Sequence, residues 1–222
     1  MSTAVIVFAK APVAGLAKTR LAPALGEAGA AALAGRMLRH ALAQAAAAGI
    51  GPVELCAAPD ASHHALQAAA AEVGARLTGQ GSGDLGLRMH RALARSLMRH
   101  GRALLIGTDA PSLDATMLRQ ASSALLDHDA VFVPALDGGY ALVGLRRADP
   151  RWFSDMRWSH DRVMEDTRAR LRAAGIRWAE LPPVADIDEP ADLMHLPPGW
   201  LQGLPTHDPR AEASARHSGE DR

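Results

Sequence analysis

Three shortages bound what this 222-residue chain can be. It has a single cysteine, Cys56, so no intrachain disulfide can form and a disulfide-stapled secreted scaffold is excluded. It has no net charge, because 24 Lys and Arg balance 24 Asp and Glu. A global basic field of the kind that draws a protein to nucleic acid or anionic lipid is therefore missing. No apolar run approaches the ~20 residues that cross a bilayer, and the opening MSTAVIVFAKAP lacks the basic start and cleavage pattern of a signal peptide. These absences predict a cytoplasmic protein with no membrane span and no nucleic-acid partner. Aromatic residues are also scarce, at 4%, while alanine is abundant. That pairing points to helices packed closely on a sheet. The 48% hydrophobic and 22% charged content is ordinary for a globular chain.

What is present alternates in kind along the chain. Residues 4–9 form a continuous β-branched and aromatic run, which reads as a strand buried on both faces. Further strands are expected at 53–57, 103–106, 130–134, 140–145 and 177–181. Helices are expected at 27–48, 62–73, 87–100, 114–126 and 161–174, with Asp60 or Ser62, Asp114 and Ser159 as N-caps. Residues 74–80 read as a poor strand. Strand–helix alternation predicts an α/β protein with a mostly parallel central sheet and helices on both faces. Residues 1–200 are expected to form one domain and 201–222 a disordered polar tail. In such sheets ligands bind beyond the carboxyl ends of the strands.

That rule selects a few segments. The loop after the first strand, Lys10-Ala-Pro-Val-Ala-Gly15-Leu-Ala-Lys18-Thr-Arg20, sets three cations among small residues. Small side chains let backbone N–H groups approach an anion, and the cations neutralise it, so this loop is read as a phosphate clamp. It is not a Walker A loop, whose GxxxxGK[ST] order is absent. Gly81-Ser-Gly83-Asp-Leu-Gly86 matches GxGxxG only formally, because no acidic residue follows at the dinucleotide spacing. It is either a turn before a helix or a pocket edge with Gln80 and Arg88 as polar contacts. Asp109 directly follows the most apolar central strand, where a carboxylate can hold a divalent metal. Asp137-Gly138-Gly139-Tyr140 is either a hairpin turn or a substrate-binding segment. Asp186 and Asp188, two apart, share one face of an extended stretch and suit a hard cation, while Asp188 can also cap a helix. Trp158 reads equally as core or as a stacking platform. His63 and His64 should diverge on a helix. HExxH and GxSxG are both absent, so zinc hydrolase and serine hydrolase chemistry lack support.

In order, FAKAPVAGLAKTRL, GQGSGDLGLRM, LLIGTDAPSL, PALDGGYALVGL, RWSHDRVMEDT and DIDEPADL resemble the glycosyltransferase-A-like bacterial proteins of the radical-SAM/selenodomain-associated transferase type. These belong to the nucleotide-diphospho-sugar transferase superfamily and are related to 2-phospholactate guanylyltransferases. The resemblance spans residues 3–196. It implies a single Rossmann-like glycosyltransferase-A domain and a Mg2+-dependent (or Mn2+-dependent) transferase. Such an enzyme would take a nucleoside triphosphate or NDP-sugar and a small-molecule acceptor. It further implies Asp109, Asp188 and Lys18 as catalytic residues, Asp109 and Asp188 as metal ligands with Asp186 as alternate, and Gly15, Lys18 and Arg20 as the phosphate cradle beside Lys10. The nucleotidyltransferase AGxGxRMG is replaced by KAPVAGLAKTR and the glycosyltransferase DxD by Thr108-Asp109-Ala110, so nucleotidyl and glycosyl transfer both stay open. A nucleotide-binding module without turnover is the alternative.

Overall fold

The computed structural model describes residues 2–158 and 160–205. Ser159, expected as a cap, and positions 206–222 of the expected tail lie outside the described residues. Seven strands form one sheet: β1 (Thr3–Lys10), β2 (Val53–Ala58), β3 (Arg76–Gly79), β4 (Arg102–Ile106), β5 (Ala130–Pro134), β6 (Tyr140–Leu145) and β7 (Trp178–Glu180). Their spatial order is β3-β2-β1-β4-β6-β5-β7. All neighbouring pairs are parallel except those of β6, which runs antiparallel to both β4 and β5. Among the described residues the α-helices are α1 (Ala22–Ala48), α2 (His64–Glu72), α3 (Leu85–Leu97), α4 (Ala115–Ala124) and α5 (Val163–Ala173).

The apolar run of β1 explains the layering. Successive side chains of a strand point to opposite faces. Val5 and Val7 enter a core shared with Leu38 and Leu42 of α1, Leu66 of α2 and Leu118 of α4. Ile6 and Phe8 enter the other core, with Met89 and Leu93 of α3 and Met164 and Leu171 of α5. Both faces are thus covered, and the strand has no polar side to show. A third, smaller cluster joins Leu21, Leu33 and Met37 to Ile187, with Leu193, Trp200 and Leu204 packed against it. It fastens the C-terminal segment onto α1.

Several expectations are corrected by local chemistry. The segment 74–80 does contain a strand: β3 pairs Leu77 with Leu55 at the sheet edge, where none of its four residues is fully buried and the apolar signal is weak. The long helix expected at 27–48 is preceded by a turn from Ala22, broken at Gly26, whose φ of 69° and ψ of 164° are not helical. The helix after the glycine loop starts at Leu85, because Asp84 caps it by accepting from Leu87 N at 2.8 Å. His63 caps α2 instead of Asp60 or Ser62, and its ring stacks on His64 at 4.6 Å instead of diverging. Residues 201–204, expected to belong to the tail, are held against the domain. Arg36 donates to the carbonyls of Trp200 and Gln202, and Leu204 packs on the third cluster. Among the described residues no helix is long and apolar enough to cross a membrane.

The reversed strand β6 leaves one position no room. A Cβ built on Gly144 would stand 2.6 Å from Val131 Cγ1 and 3.3 Å from Leu125 Cδ1. Gly144→Val should therefore destabilise the fold by at least ~1–3 kcal/mol through overpacking. Urea denaturation checks this, and an unchanged midpoint would contradict the packing described here.

Candidate functional site

In the sheet order, β1 lies between β2 and β4, and the chain leaves the ends of β1 and β4 in different directions. This switch point opens a crevice beyond the carboxyl ends of the strands. The loop after β1 and the turn after β4 form its two lips.

Lys18 is the centre of the arrangement. Its Nζ lies 2.6 Å from Asp109 Oδ1 and 3.7 Å from Asp188 Oδ1, and it donates to the Ile187 carbonyl at 2.6 Å. The two carboxylates therefore face one cation from either side, and their oxygens cannot be farther apart than those two contacts together. The Lys18 side chain is only 9% exposed, against 54% for Asp109 and 42% for Asp188. Its backbone is left-handed, with φ 50° and ψ 43°. For a non-glycine residue that conformation costs on the order of 1–3 kcal/mol and persists only where surrounding contacts impose it. Here the three oxygen partners do so. Arg20 donates to Asp188 Oδ2 at 2.8 Å and lies 3.7 Å from Glu189 Oε1, so it too is engaged with carboxylates.

The C-terminal carboxylates are delivered by Ile187. Its side chain is fully buried in the third cluster, and its N–H donates to the Asp109 carbonyl at 2.8 Å. With Ile187 turned inward, its neighbours Asp186 and Asp188 turn to the crevice side. Asp188 is not the helix cap that its position suggested. The carboxylate of Asp192 accepts from Asp188 N at 3.0 Å and Glu189 N at 2.7 Å, completing a capping box with Glu189. Asp188 is thereby left to face Lys18. Ile187 and Asp192 were missed in the sequence, although Glu-Pro-Ala-Asp at 189–192 is a readable capping pattern.

A second region adjoins the first lip. Lys10, Val13, Leu16, Pro59, Asp60 and Arg88 line a cleft of about 470 Å3. Lys10 and Arg88 thus share one space, distinct from the Lys18 cluster but bordered by the same loop. Gly15 supplies the turn between them at φ 75°. Gln80, paired with Arg88 in the sequence reading, is buried instead. It donates to the Cys56 and Ala9 carbonyls at 3.1 and 3.3 Å and ties β1 to β2. Arg88 Nη1 donates to its side-chain oxygen at 3.4 Å, so Gln80 meets the cleft only through Arg88.

Asp137-Gly138-Gly139 is a hairpin turn between β5 and β6. Gly139 N donates to Asp137 Oδ1 at 2.8 Å, and Ala135 N to the Gly139 carbonyl at 3.0 Å. Because β6 is reversed, this turn lies at the same end of the sheet as Asp109. Met164 N donates to the Gly138 carbonyl at 2.8 Å, and a Cβ on Gly138 would strike the Asp161 backbone, so the turn is clamped under the entry to α5. The Tyr140 ring packs edge-on to Phe132 at 5.3 Å, which makes it part of the second core, and burial raises the pKa of its hydroxyl. Trp158 also packs against that core, beside Gly86.

The bridge between Ala135 and Val184 brings the chain after β7 alongside this turn. Burial is the main cause that raises the Asp186 carboxyl above its ordinary range, followed by the negative charges of Asp137, Asp192 and Asp109. A raised carboxyl binds its proton more tightly in the folded state. Stability from this group is then present at low pH and lost as pH rises through the raised value. Asp186→Asn should remove that penalty. In metal-free protein at pH 7–8 the melting temperature should rise, and the gain should shrink as pH falls and vanish below the usual carboxylate range. A variant no more stable than the parent at neutral pH would refute this electrostatic crowding.

Comparisons with other proteins agree with this architecture. No curated protein matches the chain in sequence. A candidate nucleotide-diphospho-sugar transferase from Desulfovibrio desulfuricans G20 superposes with a TM-score of 0.79 at 29% identity, covering 87% of this chain and 85% of that one. Rv0371c of Mycobacterium tuberculosis H37Rv in complex with manganese gives 0.56 at 19%, covering 88% and 98%. A cytidylyltransferase from Leptospira borgpetersenii gives 0.58 at 15%, covering 87% and 84%. The mostly parallel sheet with helices around it is thus the Rossmann-like fold of nucleotide-diphospho-sugar and nucleotidyl transferases. Residues 41–160 match the family described as "Uncharacterized protein conserved in bacteria (DUF2064)", and the chain belongs to that family.

Proposed function

We propose that this chain is a transferase that moves a nucleotide-activated group to a small-molecule acceptor. The observation that carries the reading is the convergence of Lys18, Asp109 and Asp188 at the switch point of the sheet, beside a cleft holding Lys10 and Arg88. A purely structural ion pair would not need two half-exposed carboxylates from two distant segments of the chain around one lysine in a strained backbone.

The donor is a nucleoside triphosphate or an NDP-sugar. Its nucleoside fits the cleft, whose apolar walls include Val13, Leu16 and Pro59 and whose polar groups are Lys10, Asp60, Ser62, His63 and Arg88. Its phosphates reach toward Lys18 and Arg20 along the loop that carries Gly15. Asp109 and Asp188 are hard oxygen donors that already converge on a cation, and this set fits Mg2+ or Mn2+, which takes one or two carboxylates and fills its remaining positions with water and phosphate oxygens. Asp186 is the alternate ligand. When bound, such an ion neutralises phosphate charge. The residues themselves supply position and electrostatic stabilisation, which is most of what transfer at phosphorus or at a sugar carbon requires. The acceptor approaches from the side of Asp137 and the clamped glycine turn. The resemblance to radical-SAM/selenodomain-associated transferases, and through them to 2-phospholactate guanylyltransferases, supports nucleotidyl transfer, and the absent AGxGxRMG loop keeps glycosyl transfer as the second reading.

Thermal-shift screening with GTP, CTP, ATP, UTP and UDP- and GDP-sugars, each with and without Mg2+, tests the reading. A ligand at ~100 times its Kd adds about 2.7 kcal/mol to stability, which is a shift of several degrees. Lys18→Ala should weaken the stabilising nucleotide by about 1.5–3 kcal/mol, the range for hydrogen bonds to charged groups. If no nucleotide or nucleotide-sugar shifts the folded parent, the proposed activity is wrong.

A further inference from the structure

The two carboxylates that suit a divalent ion are already in contact with a cation of the chain's own. Lys18 Nζ touches Asp109 and Asp188 and is anchored by the Ile187 carbonyl, and almost none of its side chain is exposed. An ion bridging Asp109 and Asp188 would have to stand where this ammonium stands. Two positive charges cannot share that space at contact distance without strong repulsion.

We propose that Lys18 is a tethered counter-ion that excludes free divalent metal from the carboxylate pair until phosphates arrive to receive the lysine. This rests on the transferase reading for its biological sense, but not for its geometry. In the nucleotide-free protein, the ammonium satisfies Asp109 and Asp188, and free metal gains little by entering. When a di- or triphosphate occupies the crevice, the lysine gains a new anionic partner at the end of the same loop. It leaves the carboxylates, and the divalent ion enters with the phosphates. The ion and the nucleotide therefore bind with positive coupling, and the metal does not bind first. Two features fit an exchange better than a permanent ion pair. The left-handed backbone at Lys18 is held by the contacts that the exchange would release. The loop ahead of it is braced where the Val13 carbonyl accepts from the amides of Leu16 and Ala17, so the lysine side chain can leave while its base stays in place. Arg20, already on Asp188 Oδ2, keeps one carboxylate oriented while Lys18 moves.

The test uses Mn2+ alone, with no nucleotide, followed by the loss of the free-ion electron paramagnetic resonance signal. The full-length parent should bind Mn2+ weakly. Lys18→Met, which removes the charge, should tighten Mn2+ binding at least tenfold. Lys18→Gln should do the same, and it retains a side-chain N–H donor without the charge, so it guards against a methionine variant that fails to fold. Adding Asp109→Asn to either variant should abolish the gained affinity, which locates the ion. Tight Mn2+ binding by the parent, or no tightening in a folded Lys18→Gln variant, would overturn the proposal. These outcomes are separable from those of the nucleotide screen. A chain that binds no nucleotide but gains Mn2+ affinity on loss of Lys18 sinks the transferase reading and leaves the counter-ion, and the reverse pattern does the opposite.

Discussion

The constraint on which the site depends is the burial of Ile187. One apolar side chain, sunk among Leu21, Leu33 and Met37, fixes a short stretch of otherwise irregular backbone. Its amide then reaches the carbonyl of Asp109, and its own carbonyl receives the ammonium of Lys18. Hydrophobic burial is non-directional, but here it is converted into direction by two backbone hydrogen bonds. Three segments far apart in sequence are brought to one point: the loop after β1, the turn after β4 and the stretch 186–188. The Asp192 capping box complements this by satisfying the amides of Asp188 and Glu189, so the Asp188 carboxylate is spent on the crevice and not on the helix end.

Much of the fold was legible because its signals are local. Strands such as β1 and β4 are buried on both faces, so they read as unbroken apolar runs, and the alternation with helices followed from that. Where an element lies at the sheet edge the signal fails. β3 is four residues long, half-exposed and opens with Arg76, so nothing in its composition marks it. The direction of β6 was open for a different reason. The Asp-Gly-Gly turn argued for a hairpin, yet only the packing of Gly144 between β4 and β5 shows why the reversed strand can sit in the interior of a parallel sheet.

The site divides in the same way. Asp109 was legible from its place after a central strand, and Lys18 from a basic loop at a strand's end. Their mutual contact was not, because spacing along the chain carries no information about which cation meets which carboxylate. Gln80 shows the opposite limit. A polar residue beside glycines reads as a surface contact, but here its amide is spent on two strand carbonyls in the interior, which only the three-dimensional pairing of β1 with β2 reveals. Asp188 was read as both cap and ligand, and the capping burden fell to its neighbours.

The loop between β1 and α1 has a mechanical consequence. Lys10, Val13 and Leu16 face the cleft, while Lys18 faces the carboxylates, and Gly15 lies between them. On the proposed transferase reading, the two ends of one donor would be gripped by opposite arms of a single short lever. Val13 accepts from the amides of Leu16 and Ala17, which stiffens the middle of that lever, so a displacement at one arm is carried to the other and not absorbed. A nucleoside end filling the cleft would then do work on the distant ammonium. A fragment that filled only one arm would forfeit that leverage, and the loop would in effect measure whether its guest is whole.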